Sequence, residues 1–471
     1  MRPHTLSMIC ATLLTVLMPA FATAENPSFT PAASSPVFFG NAFLGYGYSV
    51  VTAADMNVDG NLDIVMARLG TANVDILHGN GDGTFQAPVS TFVGGQPGSV
   101  VAADFNEDGL PDFACTNGDL GTVTLFLATP GGSYVAGGSM VTGARPVRLV
   151  AADLNEDNHV DLVVSDQIDS TVGLLVGDGM GGFGSLQTSF VEINDSLEAV
   201  TVADLNDDGH LDLIVPCPLQ DLVAVLLGLG NGNFLTATLY PVGDNPGFIA
   251  VSDFDGDGFK DVAANNRSGD SVSLLRGIGY GNLAPHVEVP TGDTPSLLRS
   301  LDTGGTGERD LAISISGDNE LRLLWGLSAT TQGYSTTITL GYSPDVLITG
   351  DFDGDGLEDI VVVDKGEGTP HGTVQLFLNQ TTTPTLLRGD VDGDGTRNVY
   401  DAIALLAILF QGAADNCADR GDIGDDGVVD LADVLELLGY LFLSAPPPAE
   451  PMTCGNDPTP DLLPSCIDNC L

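Results

Sequence analysis

The stretch "DFDGDGFKD", Asp253 to Asp261, puts four carboxylates and two glycines into nine residues. Like charges at that density repel one another unless a cation or a set of hydrogen-bond donors holds them. The string recurs as "DMNVDGNLD" from Asp55, "DFNEDGLPD" from Asp104, "DLNEDNHVD" from Asp153, "DLNDDGHLD" from Asp204, "DTGGTGERD" from Asp302 and "DFDGDGLED" from Asp351. The steps between first aspartates are 49, 49, 51, 49, 49 and 49, so the chain is a tandem array with a period near 50.

Short β-branched runs flank each acidic string: "SVVTAA" precedes the first and "LDIVMA" follows it, while "LDLIV" follows the fourth. Such runs, bounded by Gly and Asn, read as strands. A third run follows ("NVDILH", "TVTLFL", "TVGLLV", "LVAVLL", "SVSLLR") and then a glycine turn. It ends at Phe85, Tyr134, Phe183, Phe234 or Leu283, each 30 residues after its repeat's first Asp. About four strands per unit and seven units predict a mainly β protein with a seven-bladed β-propeller over residues 37–380, in which "PVFFG" (36–40) completes the last blade. A solenoid is the alternative architecture, but solenoids usually have shorter repeats and polar caps.

The 471 residues carry 14 basic and 63 acidic side chains, a formal charge of -49, yet 43% are hydrophobic. That hydrophobicity excludes an acidic disordered chain. The charge excludes a nucleic-acid binder, which needs a basic surface, and it points to metal cations as the balancing charge. Residues 1–24 read as a signal peptide: Arg2, an apolar run from Met8 to Met18, and Ala22-Thr23-Ala24 before Glu25. That run is shorter than a bilayer span, so the expected destination is extracellular or the cell surface, with no transmembrane span. Without Cys10, six cysteines remain. Cys417, Cys454, Cys466 and Cys470 suit two disulfides with three possible connectivities, and Cys115 and Cys217 are expected to be buried free thiols.

The strand-D-x-[DN]-x-D-G-x-x-D-strand unit followed by G-x-G-x-x-F resembles the FG-GAP (VCBS) repeat of integrin α-subunit propellers and secreted bacterial proteins. Calcium takes six to eight oxygens, and a loop offering side chains at positions 1, 3, 5 and 9 with a carbonyl at 7 can surround it if the chain turns sharply at position 6. This nominates Asp55, Asn57, Asp59 and Asp63 with the Asn61 carbonyl; Asp104, Asn106, Asp108 and Asp112 with Leu110; and Asp153, Asn155, Asp157 and Asp161 with His159. It also nominates Asp204, Asn206, Asp208 and Asp212 with His210; Asp253, Asp255, Asp257 and Asp261 with Phe259; and Asp351, Asp353, Asp355 and Asp359 with Leu357. Asn158 replaces the hinge glycine in the third copy and tolerates the left-handed geometry. In the sixth copy Gly304 and Thr306 stand at positions 3 and 5, leaving only Asp302 and Asp310, so six calcium ions are expected and the sixth loop is expected to be empty.

After a Thr/Pro linker (381–387) come "DVDGDGTRNVYD" (390–401) and "DIGDDGVVDLAD" (422–433), two loops of EF-hand type, each leading into an apolar helix. This duplication over residues 388–443 resembles the dockerin domain, a small all-α module that binds a cohesin on another protein. By position, Asp390, Asp392, Asp394, Asn398 and Asp401 with the Thr396 carbonyl ligate one ion. Asp422, Asp426, Asp430 and Asp433 with the Val428 carbonyl ligate a second, which Gly424 at position 3 weakens. Arg397 stands where an apolar residue is usual, and Leu406 and Ala407 stand where dockerins often carry a basic pair, which puts a standard cohesin partner in doubt. Ile403, Leu406, Leu409 and Phe410 and their counterparts Leu435, Leu438, Leu441 and Phe442 read mostly as helix core. Residues 444–471 form a Pro/Cys-rich tail. "RGD" at Arg388 to Asp390 overlaps the first calcium ligand.

No catalytic constellation stands out. His78, His159, His210, His286 and His371 form no ligand spacing, G-x-S-x-G is absent, and Trp325 is the one tryptophan. The favoured reading is a secreted, calcium-binding, non-catalytic interaction protein. The dockerin-like module would attach to a cohesin-like or other extracellular protein, while the propeller offers a face to protein or glycan. By resemblance to integrin-like propellers, that face lies opposite the calcium loops, at "GGQPG", "GARP", "GDNPG", "GDTP" and "GYSP". The alternatives are a polysaccharide-degrading enzyme or lectin carried by a dockerin, and a structural envelope protein.

Overall fold

The structure, a computed structural model, describes residues 27–32, 37–40, 51–68, 72–189, 195–304, 307–327, 333–364, 371–381, 385–386, 405–406, 434–435, 437–438 and 452–453. The chain divides into two units, residues 26–381 and residues 1–25 with 382–471.

The fifth blade shows the common plan. Pro246–Ser252 leads into the acidic loop, Asp261–Asn266 leaves it, and Ser271–Leu275 and Val287–Pro290 follow, each strand antiparallel to the one before. Every side chain of the second and third strands is buried, which is why their sequence is a continuous apolar and small-residue run instead of an alternation: both faces of the sheet pack on neighbours. Outer strands such as Thr238–Pro241 are mostly exposed. In five blades the first strand opens on a proline followed by a register shift, at Pro97, Pro146, Pro246, Pro295 and Pro344. A proline is tolerated at a strand's first residue or a bulge because no ladder donor is needed there.

Six sheets of four strands follow one another along 51–92, 97–141, 146–189, 201–241, 246–290 and 295–339. The seventh uses Pro344–Gly350, Asp359–Asp364 and His371–Asn379, and its outer edge is covered from the other end of the chain. Val37–Gly40 pairs with His371 to Val374, and Phe29–Pro31 pairs with Phe377 to Asn379. The seven-bladed β-propeller and the closing role of "PVFFG" are thus both found, while the second closing segment at Phe29–Pro31 carries no sequence signal of its own.

The hydrophobic cores lie between successive blades. Leu205, Ile214 and Val225 of the fourth pack on Ile249, Val262 and Leu275 of the fifth, and equivalent clusters join the first to the second, second to third, third to fourth and fifth to sixth. Each such side chain removed from water contributes ~1.5–3 kcal/mol. Polar bonds repeat with the blades: Gly181, Gly232 and Gly83 each donate a backbone N–H to the residue at loop position 2 of the preceding blade, Phe105, Leu154 and Phe352. The last of these joins the first blade to the seventh. Phe85 stands edge-on to Phe352 at 5.9 Å across that junction, as Phe183 does to Phe105 at 5.8 Å. The phenylalanine that punctuates the repeat is therefore a packing element between blades.

In the other unit, Leu405, Leu406, Val434, Leu435, Leu437 and Leu438 are helical. Leu405, Val434 and Leu437 are buried, whereas Leu406 and Leu435, assigned to the helix core from the sequence, are exposed. Thr385–Leu386 pairs with Met452–Thr453, so part of the linker and part of the tail form a two-stranded ribbon. Residues 1–24, the loops 390–401 and 422–433 with their nominated ligands, and Cys417, Cys454, Cys466 and Cys470 lie outside the described residues.

Candidate metal centres

Each acidic loop is folded by its own side chains. The Asp at position 1 accepts the amide of position 6: Gly60 to Asp55, Gly109 to Asp104, Gly209 to Asp204 and Gly356 to Asp351 at 2.8–3.0 Å. The Asp at position 5 accepts the amide of position 7, as from Asn61 to Asp59 and Phe259 to Asp257, both at 2.9 Å. These bonds force the left-handed turn at position 6, where φ is 91° at Gly60, 89° at Gly258 and 67° at Asn158. An amide-rich turn that aims its carboxylates inward is what a hard cation requires.

Position 9 does two jobs. Asp63, Asp112, Asp161, Asp212, Asp261 and Asp359 are fully buried at the start of the second strand. One oxygen of each accepts the amide of loop position 2, from Met56, Phe105, Leu154, Leu205, Phe254 and Phe352 at 2.8–3.1 Å. The other accepts an amide at the end of the third strand, from Gly79, Ala128, Gly177, Gly228, Gly277 and Asn379 at 2.7–2.9 Å. A carboxylate oxygen has a second lone pair, so the bracket leaves room for ligation. In the four blades that carry glycine there, packing leaves no room for a side chain: a Cβ on Gly277 would lie 2.4 Å from the Lys260 carbonyl oxygen, and one on Gly228 2.2 Å from that of Leu211.

Burial pushes Asp112, Asp212 and Asp261 up to about 6 and Asp359 to about 7, and raises Asp161 as well, with the other loop aspartates adding. A group made costly to ionise in this way is suited to a cation beside it.

Position 3 separates the loops into two kinds. In the first four, Asn57, Asn106, Asn155 and Asn206 accept the amide of position 5 and donate Nδ2 to its carboxylate, at 2.9–3.1 Å for both bonds. In the fifth and seventh, Asp255 and Asp353 have no such donor to offer, and burial with the adjacent carboxylates raises their pKa. In both loops oxygens of positions 1, 3 and 9, Asp253, Asp255 and Asp261 or Asp351, Asp353 and Asp359, lie within 4.8 Å of one another. Oxygens facing each other across calcium at ~2.3–2.6 Å are separated by about that span. Two inward oxygens, Asp153 Oδ1 and Asp255 Oδ2, are buried without a hydrogen-bond partner. Arg276 approaches Asp255 at 3.7 Å, an ion pair without a hydrogen bond. The donor set is all oxygen, orphaned in part, and fits calcium.

The sixth loop keeps the aspartates that bond to backbone and lacks the others. Asp302 accepts Gly307 N at 2.6 Å, and Asp310 accepts both the amide and the hydroxyl of Thr303. Arg309 of this loop pairs with Glu358 of the seventh at 2.7 Å, a cation of the chain's own. Thr306 lies outside the described residues.

The loops also touch each other. His159 at position 7 of the third meets Glu107 at position 4 of the second at 2.5 Å, and His210 of the fourth meets Glu156 of the third. Both imidazoles have raised pKa values, chiefly through these bonds. The sequence shows each His and Glu, but their pairing across blades follows only from the ring. Cys115 and Cys217 are buried free thiols, pushed up to about 12 by burial. Trp325 is buried, stacked with Tyr334 at 6.2 Å, and offers no sugar platform.

Six four-stranded sheets and a seventh closed by two N-terminal segments, each turning through an acidic loop or its remnant, define a β-propeller of loop-bearing blades. Residues 55–115, 104–164 and 153–215 match the FG-GAP-like repeat, so the propeller carries repeats of that kind. No curated protein matches the chain. Among solved structures the chain is similar to BBS1N, crystallised in complex with ARL6DN, at 12% identity and a TM-score of 0.54, covering 76% of this chain and 98% of that one; this is a likeness of fold. Two weaker similarities are to virginiamycin B lyase from Staphylococcus aureus (12% identity, TM-score 0.49, 73% and 99% covered) and to an Agrocybe aegerita lectin for non-reducing terminal N-acetylglucosamine (20%, 0.48, 72% and 87%). No helix among the described residues is long and apolar enough to cross a membrane.

Proposed function

We propose that the protein is an exported, non-catalytic interaction module whose propeller is stabilised by calcium in six loops and whose C-terminal dockerin-like segment attaches it to an extracellular protein. The observation that carries this is the convergence of oxygens in the acidic loops: Asp253, Asp255 and Asp261, and Asp351, Asp353 and Asp359, are grouped at ligand spacing with nothing but oxygen to offer. Calcium binding the folded loops and not the unfolded chain would add its binding free energy to stability. Extracellular calcium modules have Kd values of ~10⁻⁴–10⁻³ M, so the loops would fill after export.

The partner face is the end opposite the loops. The first strand of each blade runs toward its acidic loop, so the connections 94–96, 143–145, 243–245, 292–294 and 341–343 lie at the other end. The turns between second and third strands share that end, and in three consecutive blades they expose an aliphatic side chain: Leu120, Ile168 and Leu219. A row of exposed apolar residues on a strongly anionic protein supports protein recognition there.

The test uses the full chain as bait in the producing organism's extracellular fraction, with calcium or chelator, for the wild type and for a Leu120→Glu, Ile168→Glu, Leu219→Glu variant. Calcium-dependent capture that an excess of residues 388–471 competes away supports attachment through the C-terminal segment. A partner lost in the triple variant supports the propeller face. Capture identical in chelator, or six loops that take up no calcium in equilibrium dialysis, would overturn the reading.

A further inference from the structure

We propose that the axial cavity of the propeller binds a small oxyanion with two negative charges, held between Arg148 and Arg299. The cavity, about 230 Å³, is lined by first strands of the first, second, third, sixth and seventh blades, among them Thr52, Val100, Ile348 and Thr349. Two arginines enter it, Arg148 from the third blade and Arg299 from the sixth.

Cations are scarce in this chain, and their placement is informative. Arg68, Arg267, Arg276, Arg309 and Arg322 each face a carboxylate. Among the described residues Arg145, Arg148, Lys260 and Arg299 form no ion pair, although the protein has 63 acidic residues to choose from, and of these four Arg148 and Arg299 line the cavity. Nε and Nη1 of Arg148 are buried with no hydrogen-bond partner, and its guanidinium lies over the ring of Phe248, at 5.6 Å. Arg299 donates one bond, from Nη1 to the Leu298 carbonyl at 3.0 Å. A guanidinium carries five N–H donors, and leaving a buried charge and its donors unmatched is among the costliest features a fold can hold.

Burial lowers Arg148 to about 9, with the charge of Arg299 acting in the same direction, and lowers Arg299 to about 10. Both stay protonated at neutral pH, so two positive charges share one cavity. The forked donors match an oxyanion with several acceptor oxygens. The volume lies below the ~300–1,000 Å³ of sites for drug-sized ligands, which restricts the occupant to an inorganic oxyanion or a small dicarboxylate. The hydroxyl of Thr52 adds a further donor at the wall, whereas that of Thr349 is directed to the Ser300 carbonyl at 3.5 Å.

Equilibrium dialysis of the calcium-loaded full chain against radiolabelled sulfate or succinate, at ionic strength fixed with chloride, tests the proposal and separates the two sources. We expect one saturable equivalent per chain for at least one probe. Affinity should fall about tenfold or more in Arg299→Met, the effect of losing one charged hydrogen-bonding partner, and less in Arg148→Lys, which keeps the charge. Saturable binding by neither probe to the wild type would overturn it without recourse to any variant. Binding unchanged in both variants would mean an adventitious ion only, held elsewhere on the surface.

Discussion

The fifth and seventh loops differ from the first four at position 3, Asp for Asn, and at position 4, Gly for a larger residue, and the first of these separates two ways of holding like charges together. With Asn at position 3, the side-chain amide bridges to the carboxylate of position 5 and the loop is partly neutralised by its own donor. With Asp255 or Asp353 there, the added carboxylate has no donor to give, and three carboxylates converge at ligand distance. The Asn loops keep their shape at lower charge, whereas the Asp loops gather one more carboxylate and bring no side-chain amide to balance it. The sixth loop is the limiting case: without acids at positions 3 and 5 it retains only Asp302 and Asp310, which backbone amides hold.

The largest expected effect is calcium removal. At about 10 mM calcium and extracellular-type affinity, each filled loop contributes ~1.5–3 kcal/mol, so scanning calorimetry in chelator should show a melting temperature lower by well over ten degrees. An unchanged melting temperature would break the comparison at its root. Next is the bracket at position 9. Asp261→Ala strands the Phe254 and Gly277 amides at a cost of ~2–5 kcal/mol; Asp310→Ala should destabilise comparably while leaving calcium stoichiometry untouched. If Asp310→Ala lowers the stoichiometry by one, the sixth loop is a site after all.

The comparison sharpens with Asp255→Asn, which converts an Asp loop to the Asn kind. Calcium affinity at that loop should weaken several-fold while the protein in chelator becomes more stable by ~0.5–1 kcal/mol. Isothermal titration and chelator melts together decide it, and loss of stability in chelator would show that repulsion at position 3 is already relieved, for instance by Arg276.

The last effect is that of pH. Asp112, Asp212, Asp261 and Asp310 have folded pKa values raised to about 6 and Asp359 to about 7. A raised folded pKa means the native state binds more protons, so the associated stability is full below the unfolded value near 4 and is lost as pH rises through 6 to 7. His159 and His210, raised by Glu107 and Glu156, act in the same direction above the ordinary histidine range. In chelator, denaturant midpoints should therefore fall between pH 5 and 8; with calcium the trend should flatten or reverse, because protons compete with the ion.

Much of this was legible in the sequence because a tandem repeat states its own period: seven aspartate strings in register specify blade number, the loop joining first to second strand, and the departure at the sixth copy. Apolar runs around each loop then give the strands, since side-chain burial on both faces needs no partner to be named. What tertiary structure decided is everything that depends on which blade stands beside which. The Phe85–Phe352 junction, the histidine–glutamate contacts between loops and the second closing strand at Phe29–Pro31 involve residues tens to hundreds apart, with no local signal. Arg148 and Arg299 read in sequence as ordinary strand residues, two blades of unrelated neighbours apart. Only closure of the ring brings their charges onto one cavity, because a sequence records the spacing of charges along the chain and not the dielectric, or the company, in which the fold places them.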